Sequence, residues 1–266
     1  MIIVKVGGGK NINLDYVCED FALLVKQNRA ILIHGGSWKR NEIAEKLGHP
    51  TKTVVSPSGM VSVYTDEKGL EIFLMVYAGL INKIIVSKLQ RLGVNAVGLC
   101  GVDGKTLEGK IKKEILIQEG ERIKLLTGNF TGKVEKFNPK LINLLLENDF
   151  IPVVCPPALA KEGEIINVDG DSITSLLAKE LKAEKIIFLI EAPGFLKDPN
   201  DENSLISEIK KEEIDKYLDF AQGRMKRKIL AIKEAISSGV KEIYIGDGRI
   251  QHPLLGVFEG KGTKIF

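Results

Sequence analysis

Short apolar runs, several closed by glycine and followed by stretches of helical periodicity, dominate this chain and leave it few folds to adopt. The first spans positions 1–6, broken only by Lys5 and followed by Gly7, Gly8 and Gly9. Such a run reads as a buried strand entering a loop whose backbone can approach a ligand closely. Glycine amides can cradle phosphate oxygens, and a nearby lysine adds positive charge. The spacing is neither that of a Walker loop nor that of the dinucleotide fingerprint. A strand with a snorkelling lysine and a flexible turn explains these residues equally well.

The alternation continues along the chain. Residues 14–27 are amphipathic, 30–34 form a second buried run ending in Gly35 and Gly36, and 41–47 read as a helix. A hairpin is expected over 51–64, then one long helix or two consecutive ones over 66–92, with Gly69 and Gly79 as possible breaks. A strand at 96–100 precedes a charged antiparallel excursion at 101–126, a helix at 139–147 and a strand at 150–155. The second half reads as a strand at 164–168, a helix at 169–181, a very apolar strand at 185–190, a helix at 223–238, and strands at 242–245 and 264–266. The pattern predicts an α/β fold with a largely parallel sheet.

A chain of 266 residues can bury a substantial core as one large domain or two lobes. The connection between Ala183 and Lys185 is the natural division, giving lobes 1–183 and 184–266. A net charge of +3 is too small to argue for nucleic acid. No apolar run is read as long enough for a membrane span, and the start of the chain lacks a signal-peptide layout. Cys18, Cys100 and Cys155 lie far apart in apolar contexts and read as buried free thiols of a reducing cytoplasm. Three histidines without ligand spacing predict no metal site.

Polar clusters fall at expected strand ends, where open α/β sheets place ligands. They are Lys5 with Gly7–Gly9, Gly35 with Gly36, residues 167–171, and residues 223–228. An aspartate caps a helix start well, so one carboxylate at 169–171 has a plain structural explanation. Two carboxylates and an asparagine around one glycine exceed it: Asp171 could orient lysines and Asn167 could donate to a substrate. Lys226, Arg227 and Lys228 read as first-turn residues, where cations oppose the helix dipole unless something anionic is near.

Taken in order, these clusters resemble the amino acid kinase family, in its acetylglutamate kinase branch. The resemblance rests on Val4–Gly9, Ile33–Gly36, Ala78–Lys83, Ala96–Leu99, Gly101–Gly104, Ile151–Val154, Ile166–Val168 with Asp171, Ala192–Leu196, Met225 with Lys228, Asp247–Arg249 with His252, and Gly262-Thr263. Within the branch, His34–Ser37, Ser56–Gly59, Tyr64–Asp66 and Gly223–Lys228 resemble members acting on aminoadipate, and in some cases glutamate, held on a small acidic amino-group carrier protein of the LysW type. The implied fold is a three-layer α/β/α sandwich with a mainly parallel open sheet, as in carbamate kinases, in two lobes: acceptor-binding, then ATP-binding.

The implied reaction is transfer of the γ-phosphate of ATP to a side-chain carboxylate. By this resemblance Lys5 and Lys228 neutralise the phosphoryl group, the amides of Gly8 and Gly36 bind its oxygens, and Asp171 holds the lysines. Gly35, Gly36, the Val63 position and Asn167 belong to the acceptor site. Gly7, Gly8, Glu191, Gly194, Phe195, Leu196, Gly223, Met225 and Lys228 belong to ATP, with Mg²⁺ bridging phosphates and no protein metal site. Arg224 and Arg227 are expected to meet the carrier. The branch carries a substrate-gripping arginine where this chain has Val63, so Lys39 or Arg40 is expected to take over, or the substrate is held differently. A cytoplasmic homodimer without arginine control, binding neither nucleic acid nor membrane, is expected. The alternatives are an acetylglutamate kinase and a non-catalytic nucleotide-binding relative.

Overall fold

β1 (Ile2–Val6) is buried along its whole length because it sits mid-sheet, with a parallel strand on each side. The computed structural model describes residues 1–218, 220, 221 and 223–266; the side chain of Arg224, expected to meet the carrier, also lies outside the described residues. After β1 come α1 (Leu14–Leu24), β2 (Ala30–His34), α2 (Ser37–Lys46) and a hairpin of β3 (Lys52–Val55) and β4 (Val61–Tyr64). Next are α3 (Glu67–Leu74), a π-helical segment (Met75–Ile81), α4 (Asn82–Arg91), β5 (Ala96–Cys100) and β6 (Leu107–Ile111). Then follow β7 (Ile115–Glu119), β8 (Arg122–Leu126), β9 (Gly132–Phe137), α5 (Lys140–Glu147), β10 (Ile151–Cys155), β11 (Pro157–Ala160), β12 (Ile165–Asn167) and α6 (Gly170–Glu180). The last part holds β13 (Lys185–Ile190), β14 (Glu208–Ile209), α7 (Gly223–Ser237), β15 (Glu242–Asp247), α8 (Pro253–Phe258) and β16 (Thr263–Ile265).

Eight strands form the main sheet in the order β14-β16-β15-β13-β1-β2-β10-β5. All run parallel except β16, which is antiparallel to β15, and β14, which follows β16. Residues before 184 supply one half and residues after it the other, joined by the five-residue β1–β13 register. Because successive side chains alternate between faces, the strands supply two separate cores. Ile3, Ile31, Ile33, Val154, Ile186 and Phe188 pack with α5, α6 and α7. Ile2, Val4, Val6, Leu32, Val153 and Ile187 pack with α1, α3, α4 and α8. The expected three layers result. A smaller sheet, β12-β11-β6-β9, and the β7–β8 hairpin account for the antiparallel excursion.

Several local expectations are corrected. α2 begins at Ser37, four residues before the expected start, because the Gly8 carbonyl accepts from Trp38 N (2.8 Å) and Ser37 Oγ (3.1 Å) and so supports the helix start from another loop. Gly69 and Gly79 break nothing: Glu67–Arg91 is one helical stretch of 25 residues, long and apolar enough by composition to cross a membrane, contrary to the sequence reading. Its inner side packs on the sheet, while Met75, Leu80, Ile84 and Leu92 face outward. Cys18 and Cys155 are buried, but Cys100 is partly exposed; all three are free. α7 begins at Gly223, so Lys228 lies in its second turn and only Lys226 in its first, which weakens the dipole reading of the cluster.

The last helix was not anticipated, although Pro253 at its first position is a start signal. A buried carboxylate anchors it: Asp20 of α1 accepts from Leu254 N (2.9 Å), Leu255 N (3.0 Å) and His252 Nδ1 (3.0 Å). Asp20→Ala leaves those amides without partners and should cost about 2–4 kcal/mol, read as a fall in urea midpoint with unchanged m-value. A variant as stable as the parent would contradict this anchoring role.

Candidate active site

The two glycine loops meet at the carboxyl ends of β1 and β2. Gly7 N donates to Leu189 O (2.8 Å) and Gly35 N to Val6 O (2.9 Å), fixing each loop to the strand beside it. A Cβ on Gly8 would lie 2.4 Å from Gly36 N and 2.5 Å from Ser37 N, and one on Gly35 would lie 2.9 Å from Gly8 N. No side chain fits between these backbones, so glycine here is a requirement of close approach. Gly36 is further covered by the π-helical segment, where its Cβ would lie 2.5 Å from Ile81 Cδ1.

Beneath the loops lies a three-residue ionic bridge. Lys5 points from β1 toward the α6–α7 side, Asp171 sits in the first turn of α6, and Lys228 comes from α7. Asp171 Oδ2 accepts from Lys228 Nζ at 2.8 Å, and Oδ1 stands 3.6 Å from Lys5 Nζ. Lys5 also donates to Val6 O at 3.1 Å. The Lys228 ammonium lies 4.3 Å from the centre of the Phe188 ring, a cation–π contact. Lys5 and Lys228 are only 6% and 7% exposed, so their charges depend on Asp171 and on whatever anion arrives. Burial pulls the Lys5 ammonium below the ordinary lysine range; Asp171 opposes that shift and Lys228 adds to it. Burial pushes the Asp171 carboxyl up, but Lys228 and Lys5 outweigh it and hold the group below the ordinary carboxylate range.

The neighbouring carboxylate has the other role. Asp169 caps α6, accepting from Asp171 N (3.0 Å) and Ser172 N (2.9 Å), which leaves Asp171 for the lysines. Gly170, which sequence reasoning passed over, makes room for this: its Cβ would lie 2.9 Å from Lys5 Cε. The signal was a glycine between two aspartates, in a cluster that exceeds what capping needs but whose sequence reading concerns only the polar side chains.

The remaining candidates take varied places. Asn167 Nδ2 donates to Thr65 Oγ1 at 3.1 Å, tying β12 to the segment after β4. Val63 lines a cavity of about 190 Å³ together with Arg40, Lys52, Tyr64, Thr65 and Asp66. Glu191 closes on the first glycine loop, with Oε1 accepting from Asn11 N at 2.6 Å. Phe195 and Leu196 bury their side chains in the core, and Phe195 N donates to Thr263 Oγ1 (2.8 Å), so here only backbone is left to face a nucleotide. A Cβ on Gly194 would lie 2.7 Å from Thr263 Oγ1. Gly223 opens α7 with φ +51°, Met225 packs against the core, and Arg227 is half-buried. Among the described residues, no group of three His, Cys, Asp or Glu side chains is placed to hold a metal ion.

Residues 1–247 match the amino acid kinase family. The chain belongs to that family. Within it, the chain is 49% identical over 266 residues to the [LysW]-aminoadipate kinase of Deinococcus radiodurans, covering all of this chain and 91% of the relative. It is 45% identical over 268 residues to the [LysW]-aminoadipate kinase of Thermus thermophilus, covering all of both chains. The solved carbamate kinase of Giardia superposes with a TM-score of 0.69 at 16% identity, over all of this chain and 98% of that one, which supports the amino acid kinase fold. The expected family and fold are thereby borne out.

A second network, unread in the sequence, supports the second glycine loop of this amino acid kinase. His34 Nδ1 donates to Gly35 O (2.9 Å), while Asn82 Nδ2 donates to His34 Nε2 (3.2 Å) and to Val153 O (3.0 Å). These bonds suit a neutral imidazole, since a second ring N–H would face the Asn82 amide donor. Burial first, then Lys5 and Lys83, lower its pKa from 6.5 to about 4, against the Gly35 hydrogen bond, which raises it. A depressed native pKa gives stability that is complete above the unfolded value and declines as pH falls toward the native one. Stability should therefore fall between about pH 6.5 and pH 4, by up to roughly 3 kcal/mol from this group. Denaturation midpoints of His34→Gln should depend less on pH across that window than those of the parent. Equal slopes would show that His34 is not held neutral.

Proposed function

We propose that this amino acid kinase transfers the γ-phosphoryl group of ATP to the side-chain carboxylate of L-2-aminoadipate held on a small acidic carrier protein of the LysW type, with carrier-held glutamate as a second acceptor. One observation carries the phosphoryl-transfer part: two buried lysines, from β1 and α7, converge on one carboxylate beneath two interlocked glycine loops. Full-length likeness to two enzymes named for a LysW-borne aminoadipate supports the choice of acceptor.

The acceptor carboxylate is already ionised at neutral pH, so no base has to remove a proton. One of its oxygens bonds to the γ-phosphorus. The bond from that phosphorus to the β–γ bridging oxygen breaks, and its electron pair leaves with ADP. Negative charge collects on the transferring group, and Lys5 and Lys228 meet it from two sides, with the Gly8 and Gly36 amides binding its oxygens. Asp171 is a positioning residue in this scheme. Its depressed pKa makes it a poor base and a good fixed anion.

Gly7, Glu191, Gly194, Phe195, Leu196, Gly223 and Met225 frame the nucleotide side. Mg²⁺ enters with ATP as part of the co-substrate, bound by phosphates. The half-buried Arg227 is assigned to the carrier in this reading. The outward apolar residues Met75, Leu80, Ile84 and Leu92 support a homodimer face on the α3–α4 stretch. The setting is cytoplasmic.

Hydroxylamine trapping of acyl phosphate tests the reading, with carrier-bound aminoadipate, carrier-bound glutamate and free acetylglutamate as parallel acceptors. ATP-dependent hydroxamate is expected with the carrier-bound acids. Turnover of free acetylglutamate alone would replace this reading with that of an acetylglutamate kinase. Lys5→Met and Lys228→Met should each lower kcat about a hundredfold or more, with smaller changes in ATP affinity. Near-normal kcat in Lys5→Met would remove it from the mechanism.

A further inference from the structure

Gly35 and Gly36 allow the second loop its close approach, and for the same reason its peptides are free to rotate unless something holds them. The peptide before Gly35 is held through its N–H, which donates to Val6 O at 2.9 Å. The peptide between Gly35 and Gly36 is held from its other end, where the Gly35 carbonyl accepts from His34 Nδ1 at 2.9 Å. The carbonyl and N–H of a trans peptide point in opposite directions. Holding the Gly35 carbonyl against the imidazole therefore turns the Gly36 N–H away from His34. That end of the peptide lies on the side of the first glycine loop: Gly36 N would lie 2.4 Å from a Cβ on Gly8.

The imidazole is itself held. Nδ1 faces a carbonyl oxygen, which only accepts, so Nδ1 carries the proton and Nε2 is the acceptor. Asn82 Nδ2 fills that role, donating to Nε2 at 3.2 Å and to Val153 O at 3.0 Å. Asn82 Oδ1 accepts from Lys83 Nζ at 3.0 Å, and the same ammonium donates to Gly98 O at 3.1 Å. The Asn82 amide therefore cannot turn over without losing partners at both ends. Gly98 of β5 makes room for it, since a Cβ there would lie 1.9 Å from Asn82 Oδ1. His34 and Asn82 are wholly buried, in a core otherwise built of apolar side chains. A satisfied buried network of this kind rigidifies what it touches, and here it touches the peptide that shapes the second loop.

We propose that His34 is a positioning residue for phosphoryl transfer, holding the Gly35 carbonyl so that the Gly36 amide stays aimed at the transferring group. The inference rests on the functional reading above, in which that amide binds a phosphoryl oxygen. His34 acts from the opposite face of the sheet to Lys5: it pairs in register with Val6 and turns toward α4, whereas Lys5 turns toward α6 and α7. The charge on the phosphoryl oxygens is greatest in the transition state, so a misdirected amide lowers turnover more than it weakens substrate binding.

Two amide side chains separate the two ring nitrogens. The amide nitrogen of asparagine falls where Nδ1 of the histidine was, and that of glutamine falls where Nε2 was. The parent, His34→Asn and His34→Gln are compared by hydroxamate trapping with whichever of carrier-bound aminoadipate, carrier-bound glutamate and free acetylglutamate the parent uses. ATP binding is measured by calorimetry and folding by thermal melts. His34→Gln should lower kcat about tenfold or more, part of the roughly hundredfold loss expected when such a donor is removed outright, with both KM values and the Kd for ATP within about threefold. His34→Asn, which keeps a donor for the Gly35 carbonyl, should recover most of that loss. A purely structural role would lower the melting temperature of both variants without this ordering of rates. One measurement needs no variant at position 34: spectra of the parent carrying ¹⁵N-labelled histidine, near neutral pH. The chain has three histidines, and His34 gives the resonance that neither His49→Gln nor His252→Gln removes. It should be neutral and protonated at Nδ1. Parent-like kcat in His34→Gln, equal losses in the two variants, a loss confined to KM, or a ring protonated at Nε2 overturns the proposal and leaves the functional reading in place. A parent that phosphorylates none of the three acceptors overturns both.

Discussion

One carboxylate holds the centre of this molecule together. Asp171 sits between Lys5 and Lys228, two buried ammonium groups that would repel each other and resist burial without it. A buried ion pair adds little net stability, because desolvation consumes most of the attraction, yet losing one partner is expensive. Such an arrangement is poor as a source of stability and useful as a source of position. The two lysines come from segments far apart in sequence, one on β1 and one on α7, so Asp171 also fixes how α6 and α7 stand over β1. Asp169 takes over the capping of α6 and leaves the Asp171 carboxylate to the lysines.

The rest of the site follows from how closely backbone can approach backbone. β1 and β2 are adjacent and parallel, so the loops at their carboxyl ends must cross within van der Waals contact, and Gly8, Gly35 and Gly36 allow that. Gly170 does the same for the Lys5 side chain. The interlock also supports α2, whose start leans on the Gly8 carbonyl. Through α2 it reaches Arg40, and thus the cavity behind Val63. Backbone geometry at one strand end therefore sets both the glycine interlock and the start of α2.

Much of this was legible in the chain itself. Hydrophobic runs with period two or helical period are local signals, and the strands β1, β2, β5, β10 and β13 fall close to where they were expected. Interactions between distant residues were hidden. The early start of α2 depends on a carbonyl 30 positions away, and the pairing of β1 with β13 across the middle of the sheet is one that no periodicity reveals. Asp169 and Asp171 are indistinguishable by composition and separate only once the cap bonds are seen. His34 and Asn82 look like ordinary strand and helix residues until both are found on Gly35 and Val153.

If Asp171 acts through the lysines it bridges, a double-mutant cycle on turnover reads that dependence. The kcat values of Asp171→Asn, Lys228→Met and the combined variant are compared with the parent, with melting temperatures recorded to exclude unfolding. Residues acting as one unit show non-additive losses. The combined variant should lose clearly less than the product of the two single losses, because removing Lys228 removes much of what Asp171 positions. A combined loss equal to that product would show that Asp171 works independently of Lys228 and is not its positioning residue.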